Sequence, residues 1–170
     1  MRAPNKLVGK IVELRLPDGF VYGLCTHDLK TSGQVVQLYR ELYKDRLADP
    51  VAALEGAPLR MVVKLPLKYI LKYPDVALVG ERKLSGRERA LPVFRSLGLA
   101  KPGAKPKGWW IIKGDDERWV DALKPEMAHY PDDGIYNLAA IEDLYVRDVF
   151  SHSPELLNRG PLTFVPSRLS

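Results

Sequence analysis

Cys25 and His27 are the first residues along the chain whose types suggest chemistry, a thiol and an imidazole two positions apart. A thiolate nucleophile needs a base within hydrogen-bond reach and a third group to orient that base. The sequence names no third group, and residues two apart on a strand point the same way with or without a function. A lone cysteine also serves as a small buried hydrophobe, so the pair reads as packing and no catalytic residue is assigned. His27, His129 and His152 are far apart and none falls in an HExxH motif or joins a CxxC pair; no metal is expected. Asp115-Asp116 and Asp132-Asp133 are paired carboxylates of the kind acid/base catalysis uses. Each pair adjoins a glycine, Gly114 or Gly134, in a reversal where aspartate is favoured because it caps its own backbone. Neither Gly86 nor Gly103 belongs to a phosphate-cradling pattern, and no cofactor is expected.

The strongest binding signal is Lys101, Lys105 and Lys107 leading into Trp109 and Trp110. Lysines beside aromatics can hold phosphates while a ring stacks on a base. On a strand Trp109 and Trp110 point to opposite faces, so at most one is deep core and the other is covered or exposed. An exposed tryptophan beside charged residues serves a protein partner as readily as RNA.

The elements that must position these residues start with Val8–His27, VGKIVELRLPDGFVYGLCTH. Val12, Leu14 and Leu16 alternate with Ile11, Glu13 and Arg15, which predicts a strand with one buried face and one mostly wet. Pro17-Asp18-Gly19 reverses the chain, and the return arm places Phe20, Tyr22, Leu24 and Thr26 on one face and Val21, Gly23, Cys25 and His27 on the other. Gln34–Tyr39 reads as a third strand. Arg40–Asp49 is a charged connector, followed by a short turn over Val51–Glu55 capped by Asp49 and ended by Gly56. Leu59–Pro66 reads as a buried strand, with Val76–Gly80 as its expected partner and a helical turn at Leu67–Tyr73 between them. Residues Lys101–Gly108 form the most linker-like stretch. Trp109–Lys113 and Glu117–Val120 make a second hairpin around Gly114-Asp115-Asp116. Tyr130–Gly134 is a further reversal, and Leu138–Phe150 a helix capped by Asn137, with Leu138, Ile141, Leu144, Tyr145 and Val149 on one face. The expected organisation is one α+β domain over residues 1–150, mostly antiparallel, built as a strongly bent sheet or partly open barrel with one covering helix in the C-terminal half. Residues 151–170 are expected to be an irregular tail.

At 170 residues such a chain buries roughly 70% of the surface it exposes when unfolded. One cysteine makes no internal disulfide and no apolar run reaches membrane-spanning length, which points to a soluble, cytoplasmic protein. The formal charge is +5 with a pI near 9.3, but it is unevenly spread. Residues 60–113 carry 13 Lys/Arg against 3 Asp/Glu, and residues 114–156 carry 3 against 11. If the two segments fold together they neutralise each other within a Debye length of about 8 to 10 Å; if not, each is a docking surface.

The order of features resembles the bacterial polymorphic-toxin immunity proteins of the immunity protein 26 family. The resemblance rests on the Gly9–Leu16 strand, Pro17–Gly23, the apolar strand at Leu59–Val63, the tryptophan strand Trp109–Ile112, and Gly134-Ile135-Tyr136 before an acidic helix. It spans most of residues 8–150 and brings no catalytic residues. It implies a compact mixed domain that works by binding, occluding a cognate protein toxin without turnover. The basic balance departs from an acidic mimic of nucleic acid. A stable interface needs about 800 Å² per partner and a few aromatic or arginine anchors. Tyr22, Tyr39, Trp109, Trp110 and Trp119 are the expected anchors, with Asp115, Asp116 and Glu117 as an acidic rim. The alternative is an RNA-binding accessory protein using the basic 60–113 region through Lys101, Lys105 and Lys107.

Overall fold

The computed structural model describes residues 7–29, 32–98 and 107–148. In chain order the elements are β1 (Lys10–Leu16), β2 (Gly19–Leu29), β3 (Gly33–Tyr39), α1 (Pro50–Ala53), β4 (Leu59–Leu65), α2 (Leu67–Ile70), β5 (Val76–Glu81), α3 (Gly86–Arg89), β6 (Phe94–Leu97), β7 (Trp109–Lys113), β8 (Asp116–Val120) and α4 (Leu138–Val146), with a short 3₁₀ turn at Pro125–Met127 before α4. The fold is α+β: a five-stranded antiparallel sheet in the order β4-β3-β2-β1-β5, and a three-stranded antiparallel sheet in the order β6-β7-β8. Neither closes into a barrel. Irregularities at Ile11/Val12, Cys25/His27 and Leu38/Tyr39 interrupt the ladders of the larger sheet, and such bulges bend and twist strands locally.

The first hairpin sets the sheet's centre. Leu16 lies opposite Gly19, which leaves Pro17 and Asp18 as the turn. Gly19 has φ +149°, and a Cβ there would meet the carbonyl oxygen of Tyr43 at 2.2 Å, so both conformation and space demand glycine. β3 completes a meander and leaves two free edges whose backbone groups need partners. Here the structure corrects the sequence expectation. β4 pairs with β3 and β5 with β1, so Leu59–Leu65 and Val76–Glu81 lie at opposite edges instead of pairing with each other.

Both faces of the larger sheet are covered. On one, Val12, Leu14, Val21, Cys25, Val36, Leu38, Val63 and Leu65 pack against Leu67 and Ile70 of α2 and against Tyr136, Ala140, Ile141 and Leu144 from the α4 region. The α4 helix starts where Asn137 Oδ1 accepts from Ala140 N at 2.8 Å and runs to Val146, short of the expected Phe150. Val149 and Phe150 lie outside the described residues, as does the 151–170 tail. The other face, expected to be mostly wet, is a second core. Ile11, Tyr22, Leu24 and Tyr39 close around Leu54, with Phe20, Tyr43, Leu47 and Val51 against them; only Arg15 of the predicted wet positions is exposed. The segment between β3 and β4 is therefore a layer of the fold. It folds back because Asp49 Oδ1 caps α1 by accepting from Ala52 N at 3.1 Å and because Glu13, 2% exposed, recruits it. Glu13 accepts from Arg46 Nε at 2.9 Å and from the Tyr22 hydroxyl at 3.0 Å, and that hydroxyl accepts from Leu47 N at 2.9 Å. A buried carboxylate needs such partners.

A strap at residues 131–136 ties the small sheet to the large one. Arg95 N donates to the Pro131 carbonyl at 2.9 Å, Asp133 N to the Arg95 carbonyl at 2.8 Å, and Tyr136 N to the Lys64 carbonyl at 2.8 Å. The bipolar charge is matched along the same route. Arg60 pairs with Asp148, Lys64 with Asp133, and Arg95 with Asp132, three pairs each joining the basic 60–113 segment to the acidic 114–156 segment.

Candidate partner-binding face

The small sheet presents two faces of different character. Its hairpin turns at Gly114-Asp115, with Lys113 opposite Asp116 and Trp110 opposite Trp119; Gly114 takes φ +64°, as a tight reversal requires. Alternation then places Ser96, Trp110 and Trp119 in one cross-strand row and Phe94, Ile112 and Glu117 in the next, on one face. Arg95, Trp109, Ile111, Lys113, Asp116 and Arg118 belong to the other.

On the first face Trp110 and Trp119 are 39% and 38% exposed. Their rings meet edge to face, 5.2 Å between centroids at 71°, a favoured aromatic geometry. Two constraints hold Trp119. Its indole Nε1 donates to Asp121 Oδ1 at 3.1 Å, and its ring lies across Gly98, where a Cβ would meet the ring at 2.2 Å. The pair is thus a preset aromatic platform, which loses little side-chain entropy on contact. Next to it on the same face, the row of Phe94, Ile112 and Glu117 opens into a cavity of about 530 Å³ between the two sheets, whose polar lining includes Asp28, Lys64, Asp115 and Asp133. Lys64, 3% exposed, is held by Asp133 and lies 4.6 Å from the centroid of the Phe94 ring. Lys68 Nζ reaches Asp28 at 2.7 Å. Asp115 and Glu117 are exposed at the rim.

The expected anchors therefore divide. Trp110, Trp119 and Glu117 share one face, with Asp115 at its turn. Asp116 is on the opposite face, where with Lys113, Arg118 and Tyr130 it borders a second hollow whose lining also includes Glu117. Trp109 is half-buried on that opposite face, under the guanidinium of Arg95 at 5.2 Å from the ring centroid. Tyr22 and Tyr39 are corrected: they are 0% and 2% exposed, because the second face of the large sheet is core, and neither can touch a partner. Burial pushes the Tyr22 hydroxyl up to about 12. Lys107 is exposed, while Lys101 and Lys105 lie outside the described residues. Asp28, Lys64 and Phe94 carry no site signal in the sequence, and Asp133 reads as a turn residue of the Asp132-Asp133 pair. They come from separate segments with no common motif, and the only hint was the opposite charge of the 60–113 and 114–156 stretches.

The thiol and imidazole do not form a catalytic pair. The ladder slips between Cys25 and His27, and the imidazole engages Thr26 Oγ1 at 2.9 Å and the Arg89 carbonyl at 3.1 Å. Cys25 is fully buried, and burial raises its thiol to about 12, so it stays protonated at neutral pH. Native protein should accordingly resist alkylation by iodoacetamide at neutral pH and take up one label after denaturation, as read by intact mass. Fast labelling of the native protein would contradict this environment. Beside His27, Arg82 pairs with Glu88, and that hydrogen bond holds the Glu88 carboxyl down near 2 within the capping box Ser85–Glu88 at the start of α3. Among the described residues no group of three or more His, Cys, Asp or Glu could hold a metal ion, and no helix is long and apolar enough to cross a membrane.

No family model, curated protein or solved structure matches the chain.

Proposed function

We propose that this chain is a non-enzymatic binding protein, an immunity protein acting in the bacterial cytoplasm, which occludes a cognate toxin with the tryptophan face of its small sheet. The observation that carries this is the Trp110–Trp119 pair, braced by Asp121 and Gly98 yet more than a third exposed. Tryptophan is enriched among the few interface residues that hold most binding energy, and rigid bracing cuts the ordering cost of using it. The order of strands and turns from Gly9 to Tyr136 supports the immunity assignment through its resemblance to that family. The alternative of RNA binding drew on the basic 60–113 region. Five of its cations, Arg60, Lys64, Lys68, Arg82 and Arg95, each face a carboxylate, which favours a protein partner.

The test is co-expression with a toxin encoded beside the gene. The expected result is survival with the native chain, and loss of protection with Trp110→Ala/Trp119→Ala at unchanged thermal stability. The two truncations together should weaken toxin binding by at least about 30-fold, the effect of one strong hot spot. Killing unaffected by the native chain would sink the immunity assignment. Tight RNA binding with a steep salt dependence would replace it with the alternative.

A further inference from the structure

We propose that the tryptophan face takes a cationic side chain of its protein partner, specifically a guanidinium, seated against the Trp110–Trp119 pair and the carboxylate of Glu117, with Asp115 at the adjoining turn adding to the negative field. This rests on the reading of that face as the docking surface and adds the chemistry of what docks.

Two independent features of the face ask for the same ligand. The first is charge. The cavity at the Phe94–Ile112–Glu117 row, next to the tryptophan row on the same face, is lined by four carboxylates, Asp28, Asp115, Glu117 and Asp133, against the single ammonium of Lys64. Lys64 is committed to Asp133 and Lys68 to Asp28. Asp115 and Glu117 stand exposed at the rim, where they set a negative local field on a chain whose overall charge is +5. The second is the ring. Indole is the best aromatic surface for a cation, and Glu117 shares its face with Trp119, two residues along β8.

Among the described residues the molecule builds this unit four times, once with lysine, where Lys64 lies over Phe94 and pairs with Asp133, and three times with arginine. Arg46 stacks 5.4 Å from the Phe20 centroid and pairs with Glu13. Arg60 stacks 5.0 Å from Tyr145 and pairs with Asp148. Arg95 stacks 5.2 Å from Trp109 and pairs with Asp132 at 3.4 Å. The last lies on the opposite face of the same small sheet, one strand position from Trp110. Trp110, Trp119 and Glu117 thus present to solvent the ring and carboxylate halves of an arrangement that elsewhere in this fold is completed by a cation, arginine in three cases and Lys64 in the fourth. Arginine suits it better than lysine because its planar fork stacks on a ring while donating in pairs to a carboxylate.

The experiment follows the indole Nε1–H signals of the full chain by NMR during titration with an oligo-arginine peptide, with oligo-lysine and oligo-glutamate peptides of equal length as comparisons. Oligo-arginine should shift the Trp110 and Trp119 signals, bind more tightly than oligo-lysine, and do so against the chain's net positive charge; oligo-glutamate should leave them unmoved. Asp115→Asn/Glu117→Gln should weaken arginine binding by about tenfold or more, the loss of a hydrogen bond to a charged group, with circular dichroism and melting unchanged. Unmoved indole signals, equal binding to the carboxylate variant, or no preference over oligo-lysine would each overturn the seat. Its failure separates cleanly from failure of the docking reading. A toxin neutralised through Trp110 and Trp119 but insensitive to Asp115→Asn/Glu117→Gln retires the cation seat alone. Carboxylate-dependent arginine binding with an adjacent toxin left active supports the seat and retires the immunity assignment.

Discussion

Leu54→Ala should destabilise the fold by about 2 to 5 kcal/mol, the range for emptying a buried leucine site, read as a lower urea midpoint at unchanged slope. By sequence the position sits in the short Val51–Glu55 turn after the charged Arg40–Asp49 connector, a surface setting where a substitution would be worth within about 0.5 kcal/mol. In the structure Leu54 is 1% exposed and closes a core of Ile11, Tyr22, Leu24 and Tyr39. It is held there by a single short helix, capped by Asp49, with little local structure to adjust if the side chain is lost. The exposed neighbour Glu55 provides the contrast: Glu55→Ala should stay within about 0.5 kcal/mol. A neutral Leu54→Ala would mean the 40–57 segment is a surface loop after all and that Tyr22 and Tyr39 are open to a partner.

Asp133→Ala should cost about 3 kcal/mol. Removing one partner of a buried ion pair strands the other charge, at roughly 3 to 5 kcal/mol, and the low end applies because the Asp133 side chain retains 27% exposure against 4% for Lys64. The signature is the cycle. Lys64→Met/Asp133→Ala should recover much of the loss, since apolar replacement of both charges is often neutral and a methionine could still lie on the Phe94 ring. Chemical denaturation of the four proteins measures it. Additive losses would show that the two charges do not interact and that the small sheet is tied on by the 131–136 backbone contacts alone.

These two sites mark where sequence stopped being informative. The first hairpin, the third strand, the tryptophan hairpin and the capped α4 helix are all local devices: alternation, Pro-Asp-Gly, Gly-Asp and Asn137 act within a few residues, so they can be read in line. Strand pairing at the edges is not local. Leu59–Leu65 and Val76–Glu81 were each legible as strands, but their partners depended on which edges the meander left open. β6, four residues without clear alternation, carried no signal until β7 paired with it. The period-two pattern also undercounted the core, because Ile11, Glu13 and Arg15 look like a wet face when one polar group is assumed to mean solvent. Glu13 is buried by Arg46 and Tyr22, groups 33 and 9 residues away.

The same division runs through the candidate site. Amino-acid types and alternation alone determined that Trp109 and Trp110 must part to opposite faces and that Asp115 lies in a turn. Only the tertiary structure decided which tryptophan is left to solvent, since that depended on Arg95 covering Trp109 and on Gly98 making room for Trp119. It also decided that the basic and acidic halves meet, because Coulomb attraction acts through space. Lys64 and Asp133 lie 69 residues apart in the chain and in contact in the fold, and no property of either segment read along the sequence specifies that distance.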